Sequence, residues 1–346
     1  MLAATYYEPG DLRVSDVPEP AVGAGELKLR MRATATCGTD AKIYRHGHHR
    51  LEPPQIIGHE LAGEVVEVGA GTDAFVVGDR VQVIAAVPCG ACWACDAGAM
   101  TVCPNQTSMG YQYPGGFAEF MIVPELVLRV NGVNRIPDGV SFAEASVTEP
   151  LACALNAQEL ARVGQGHVVV VTGAGPIGCM HVRLARARGA STVYLVDVNA
   201  GRLALSAQRV TPDGVIDAST DNVVEQVLEL TRGRGADVVI TAAPAAKAQE
   251  DAIDMAAPQG RISFFGGLPK DDPYIRCDSN KVHYRELSLI GANGSSPDHN
   301  RRALDLIATG EVPVADLITH RLPLDEVHDA IDAVISGEAI KVVVEP

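Results

Sequence analysis

Near Gly166 the pattern of apolar residues changes period, and with it the kind of structure this chain can build. Upstream, short alternating or apolar segments at 26–33, 61–68 and 80–84 are separated by Gly, Pro and Asp, which predicts β structure of the barrel or sandwich kind. Downstream, apolar β-branched runs alternate with helical spacing: a run at 167–172, a helical pattern at 176–188, then a run at 191–197. Runs at 236–242, 261–265 and 287–291 continue the series, so a parallel sheet with helical crossovers is expected. Residues 296–309 read as a helix opened by Pro297, with Asp298 in the first turn where negative charge suits the helix dipole. The segment 320–346 returns to mixed structure. A chain of 346 residues exceeds what one hydrophobic core usually fills, and two domains are expected.

The string from Val171 to Gly178 places Gly173, Gly175 and Gly178 in a GxGxxG pattern around Pro176 and Ile177. Alone the pattern is weak. Here it follows an apolar run and opens a helical one, so that the loop's backbone N–H groups would face a pyrophosphate at the positive end of a helix dipole. Asp197 closes the next run nineteen residues after Gly178. A carboxylate there accepts hydrogen bonds from an adenosine ribose and repels a 2′-phosphate, so NAD is expected rather than NADP. Asp197 can also be read as a cap for a helix starting at Asn199. Arg202, five residues on, is either close to the adenosine or a solvated helix residue.

Of eight cysteines, four fall within fifteen residues: Cys89, Cys92, Cys95 and Cys103, spaced by two, two and seven residues. Without an export signal, such clustering favours metal over a disulfide scaffold. Four thiolates on a short Gly-containing loop wrap one tetrahedral Zn²⁺, and a closed shell of sulfurs leaves no place for substrate, so this metal is expected to be structural. An iron–sulfur cluster is the competing use of four cysteines. Cys153, Cys179 and Cys277 show no ligand partner and are expected to pack in the core.

A second set of donors is spread over the β-rich half: Cys37 within Thr36-Cys-Gly-Thr-Asp40, His59 and Glu60 after Gly58, and Glu149 within Thr148-Glu-Pro-Leu151. Mixed sulfur, nitrogen and oxygen ligands from distant segments suit an open catalytic zinc. Singly, each has another explanation: Cys37 as a small buried hydrophobe, His59 as a satisfied core histidine, Glu149 as a helix-entry charge. Between Cys37 and His59 lies a basic stretch, Arg45, His46, His48, His49 and Arg50, expected in a loop that either grips a sugar phosphate or is a solvated turn.

In order and spacing, these segments together with the four-cysteine lobe and the glycine fingerprint resemble the medium-chain zinc-dependent alcohol dehydrogenases from end to end. Glu149, where simple alcohol dehydrogenases carry cysteine, is similar to the sorbitol and related polyol dehydrogenases. The resemblance implies an α/β protein. A discontinuous GroES-like β-barrel catalytic domain, 1–150 and 295–346, would hold a Rossmann doubly wound parallel-sheet domain, 151–294, inserted within it, with the active site in the cleft between them. It implies two Zn²⁺ per chain. The structural ion would sit on the four cysteines. The catalytic ion would be held by Cys37, His59 and Glu60, with Glu149 binding directly or through a water and the two glutamates exchanging in turnover.

By the same resemblance, zinc acidifies a secondary hydroxyl of a polyol, cyclitol or sugar phosphate, which becomes a ketone as hydride passes to NAD. Thr39 is placed like the family hydroxyl that passes the alcohol proton to the nicotinamide ribose. Lys42 stands where a histidine usually continues that relay, so Lys42 or His46 would carry its outer end, or Lys42 would touch the cofactor. Cys-Gly-Thr-Asp followed by Ile43 and Tyr44 also resembles L-threonine 3-dehydrogenases. That substrate requires a carboxylate anchor and an ammonium partner, neither of which the sequence identifies. A catalytically silent NAD-binding or structural protein on the same fold would have lost a zinc ligand, and all four candidates are present. A homodimer or homotetramer is the family expectation, with an edge strand at 287–292 pairing across a two-fold axis.

Composition narrows the partners. A net charge of −15 and a 4% share of aromatic residues supply neither the basic face nor the stacking platforms that nucleic acid requires. No apolar run reaches the ~18 residues of a membrane span, and no cationic start precedes an apolar one, so a cytosolic protein acting on a small molecule is expected.

Overall fold

The strand Leu27–Ala35 alternates buried and exposed residues along its middle, and it organises everything around it. A computed structural model describes all 346 residues, in two units: Met1–Ala152 with Gly294–Pro346, and Cys153–Asn293. In the first unit, Leu27–Ala35 lies within a seven-stranded sheet and pairs antiparallel with Glu60–Val68 on one side. Its other side is shared by Phe120–Val123 along residues 27–30 and by Lys341–Glu345 along residues 34–35. Leu27, Leu29 and Met31 pack with Leu61, Val65, Val81 and Val83 into one core; Tyr6, Ile43, Phe117, Val327 and Val342 belong to another.

One expectation is corrected here. Arg45 and His46 do not lie in a loop; they form the last turn of the helix Gly38–His46. Only Asp40, Ala41 and Ile43 of that helix are buried, so no apolar stripe announces it. A capping box at Cys37 starts it, and Gly47, at φ +70, ends it.

The second unit is a six-stranded parallel sheet in the order Gly214–Asp217, Thr192–Asp197, Val168–Thr172, Ala236–Thr241, Ala256–Phe264, Ser288–Gly291. This is the doubly wound order of the Rossmann fold, and it reverses direction between Val168–Thr172 and Ala236–Thr241, where ligands bind in such sheets. Val169, Val170 and Val171 are wholly buried, which is why that strand reads as an unbroken apolar run. Cys179 is buried as expected and Cys153 half-buried. Cys277 is exposed instead, in a polar segment just ahead of the helix Ser279–Tyr284. No helix is long and apolar enough to cross a membrane.

His181, on the helix Pro176–Ala187, has no exposed surface, and burial lowers its pKa from 6.5 to about 3. Between those values the unfolded chain binds a proton that the folded chain does not, so stability is present above pH 6.5 and is lost as pH falls toward 3. The expected slope from this residue is about 1.4 kcal/mol per pH unit. Urea unfolding of His181→Gln across that window should lose that slope; an unchanged pH dependence would contradict the assignment.

Candidate metal centres and dinucleotide loop

Strand register builds the first cluster. Ala35 pairs with Glu60 across one strand boundary and with Val343 across the other, so Cys37 emerges from the end of Leu27–Ala35 between Glu60 and Lys341. Cys37, His59 and Glu60 each bring one donor atom within 4.8 Å of the others. His59 is delivered by Gly58, whose φ of +93 suits glycine; a Cβ there would also lie 3.0 Å from the Phe117 ring and the Thr34 methyl. A sulfur, a nitrogen and a carboxylate oxygen, converging in a largely buried pocket, are a donor set suited to an open zinc site.

Two residues to which the sequence assigns no role, Asp40 and Lys341, complete the cluster. Asp40 is fully buried; its Oδ2 accepts from Cys37 N at 2.8 Å, and its Oδ1 lies 3.2 Å from His59 Nδ1. Burial opposes charge on His59, yet Asp40 and Cys37 hold its pKa well above the ordinary value. With Asp40 at Nδ1, the other ring nitrogen is left to meet a metal, an arrangement usual for metal-binding histidines. Lys341 is also buried, and its Nζ donates to Glu60 Oε1 at 2.6 Å and to Thr36 O at 2.7 Å. Burial pushes Glu60 up to about 7 against the pull of Lys341, and Glu149 adds to the push. Burial opposes charge on Lys341 as well, but Glu60 and Cys37 raise its pKa.

Glu149, in the first turn of the helix Thr148–Leu160, is buried and acts electrostatically on Glu60 and Lys341 without belonging to the three donors that converge within 4.8 Å. Thr39 is half-buried in the first turn after Cys37, and Lys42 and His46 are exposed on the same helix. Of the basic stretch, Arg50 is engaged through one nitrogen: its Nη2 donates to Gln106 O at 2.8 Å and Ser108 Oγ at 3.4 Å, and its guanidinium carbon lies 6.0 Å from the Tyr111 ring centroid. His48 is held below its ordinary pKa by burial, His49 and Arg50.

The four-cysteine lobe forms a second cluster of free thiols, Cys89, Cys92, Cys95 and Cys103. Cys92 Sγ lies 3.6 Å from Cys95 Sγ and 3.7 Å from Cys103 Sγ. Zn–S bonds of about 2.3 Å arranged as a tetrahedron give S···S edges of about 3.8 Å, so the spacing fits an enclosed tetrahedral ion. Sulfurs also receive N–H donors, from Cys89 N to Cys103 Sγ at 3.4 Å and from Asn105 Nδ2 to Cys89 Sγ at 3.9 Å.

In the second unit, a cavity of about 650 Å³ is lined by Gly173, Gly175, Asp197, Arg202 and Asn222, at the point where the sheet order reverses. Pro176 and Ile177 open the helix beyond it, and a Cβ on Gly178 would fall 1.8 Å from Gly173 O, so loop and helix meet at glycine. Asp197 accepts from Ala174 N at 2.6 Å and from Asn199 N at 2.8 Å. It is not the helix cap: Asn199 holds that place, accepting from Arg202 N at 3.0 Å. Arg202 Nη1 lies 3.9 Å from Asp197 Oδ2.

Comparison with known proteins agrees with this geometry. Residues 23–132 match the family described as alcohol dehydrogenase GroES-like domain, and residues 176–309 that described as zinc-binding dehydrogenase. The chain is 34% identical to the sorbitol dehydrogenase of Halalkalibacterium halodurans, covering 100% of this chain and 98% of that one. It is 35% identical to the L-threonine 3-dehydrogenase of Sinorhizobium medicae, covering 99% and 98%. A solved structure from Sinorhizobium meliloti 1021, described as a candidate zinc-binding dehydrogenase bound to NADP, superposes with a TM-score of 0.93 at 32% identity, covering 100% and 99%. The chain belongs to the medium-chain zinc-dependent alcohol dehydrogenase family.

Removing the Lys341 ammonium should leave the Glu60 carboxylate buried and unpaired, at a cost of about 3–5 kcal/mol. Lys341→Met removes the pull that lowers the Glu60 pKa, so urea unfolding with chelator present should show it increasingly destabilised as pH rises into the alkaline range, and the double variant Lys341→Met/Glu60→Gln largely restored. A single variant as stable as the parent would mean that the pair carries no such role.

Proposed function

We propose that this protein oxidises a secondary alcohol of a polyhydroxylated substrate to a ketone, with NAD as hydride acceptor. The observation that carries the reading is the convergence of Cys37, His59 and Glu60 with Asp40 and Lys341 behind them. When loaded, such a site supplies Lewis-acid polarisation of a hydroxyl, and the nicotinamide accepts the hydride. The chain's own groups bind, orient and move the proton. Cys37, His59 and Glu60 would hold the ion, with Glu149 binding it directly or through a water. Asp40 fixes the His59 ring, and Lys341 fixes the Glu60 carboxylate. Thr39 Oγ1 would accept the alcohol proton while passing its own to the nicotinamide ribose, and exposed Lys42, three residues on along the same helix face, fits the solvent end of the relay. The four cysteines hold a structural zinc.

NAD rather than NADP follows from Asp197. Two backbone N–H groups fix its carboxylate at the glycine loop, where it meets ribose hydroxyls well and a 2′-phosphate badly. The neighbour from Sinorhizobium meliloti holds NADP, so this choice must be measured on this chain. Amino-alcohol oxidation is the second reading, favoured by the threonine dehydrogenase relative. A homo-oligomer of two or four chains is proposed on the family pattern.

The test is NADH formation from polyols, cyclitols, sugar phosphates, simple alcohols and L-threonine, with each cofactor and before and after chelation. Polyol turnover that chelator abolishes, with NAD preferred by roughly tenfold or more, is expected. Asp40→Asn should lower metal affinity or kcat/KM by roughly 10–100-fold. Turnover of L-threonine alone would replace the polyol reading.

A further inference from the structure

The wall beside the metal cluster carries a phenol hydroxyl that the protein itself does not use. Residues 107–117 are laced to 55–59 by backbone bonds: Gly115 N to Ile56 O at 2.7 Å, Gly116 N to Gly58 O at 3.0 Å and Phe117 N to Ile57 O at 3.1 Å. A Cβ on Gly110 or Gly115 would fall 2.9 or 2.2 Å from Gly58 O, so the two segments lie backbone to backbone. Gln55 Nε2 donates to Tyr111 O at 2.8 Å, fixing the Tyr111 main chain relative to nearby His59. The Tyr111 ring then stands with its centroid 6.3 Å from that of His59 and 5.0 Å, edge to face, from that of His48.

Every part of Tyr111 is thus anchored except its hydroxyl, which makes no hydrogen bond within the protein and is not sealed from solvent. Burial pushes the phenol up to about 12, and the charges acting on its oxygen come from His59, Asp40, Cys37 and Glu149. Its oxygen therefore lies within electrostatic reach of the cluster while remaining a neutral donor and acceptor. A phosphate or carboxylate is best held by a charge-assisted partner. Nearby, Arg50 spends its Nη2 on Gln106 O with its guanidinium carbon 6.0 Å from the Tyr111 ring centroid, and His48 is held below its ordinary pKa by burial and its cationic neighbours. What fits a fixed, neutral O–H is a second neutral hydroxyl.

We propose that Tyr111 is a specificity-determining residue that selects a vicinal diol, its Oη exchanging a hydrogen bond with the hydroxyl on the carbon next to the one oxidised. The inference rests on the dehydrogenase reading above. One neutral hydrogen bond is worth roughly tenfold in discrimination. With the zinc-loaded enzyme and NAD, 2,3-butanediol and 2-butanol differ by that one hydroxyl. The parent should favour the diol in kcat/KM by roughly tenfold, and Tyr111→Phe, which keeps the ring wall, should lose about that factor on the diol while 2-butanol stays within about twofold. Equal losses on both alcohols, no change on either, or a higher kcat/KM for a phosphorylated polyol than for its parent polyol would overturn the proposal. If the parent oxidises neither alcohol, the dehydrogenase reading fails for these substrates. Tyr111 is then judged by calorimetric titration of zinc-loaded protein with the same pair: weaker diol binding in Tyr111→Phe alone supports it, and identical binding overturns it.

Discussion

Lys341 and Glu60 sit side by side with 2% and 0% of their side chains exposed. Either charge alone at that depth would be destabilising by several kcal/mol, so the two must arrive together and in register. The register comes from one strand with a partner on each side: Ala35 faces Glu60 across one boundary and Val343 across the other. Once that is set, little freedom remains. Thr36 offers its carbonyl to Lys341, Cys37 follows as the chain leaves the sheet, and the helix it caps brings Asp40 back toward His59.

Both candidate sites are held by side chains that stand behind the contact surface. In the second unit Ala174, within the glycine loop, has its N–H taken by Asp197 and its carbonyl taken by Ser206 Oγ, each at 2.6 Å. The loop is thereby set in one shape before any ligand arrives, which lowers the ordering cost of binding. The first unit does the same for its histidine with Asp40 and for its carboxylate with Lys341. Rigid supports of this kind let a few donor atoms carry the chemistry.

Much of this was legible in the sequence, for physical reasons. A strand buried on both faces has to be apolar throughout, so Val168–Thr172 announces itself, and a loop that meets a helix at 1.8 Å from a would-be Cβ admits only glycine at Gly178. Metal donors are restricted to a few residue types, which makes Cys37, His59, Glu60 and the four-cysteine lobe conspicuous. Lys341 is not conspicuous: it looks like a charged residue opening an apolar run, and its partner is 281 residues away. Only the pairing of two strand boundaries reveals it. Tyr111 is likewise one of two tyrosines flanking Gln112, and nothing in its neighbours tells which of them faces His59. The helix Gly38–His46 escaped because a cap, rather than an apolar stripe, starts it.

The discontinuity of the first unit also sets a schedule. Lys341 is synthesised 281 residues after Glu60, and at ribosomal rates that interval is roughly 15–55 s. Throughout it the nascent sheet lacks the strand that delivers the counter-charge, whereas Cys153–Asn293 emerges as one contiguous stretch able to fold in the meantime. The Glu60 carboxylate is therefore without its ammonium partner until the strand that carries Lys341 has been synthesised and has joined the sheet.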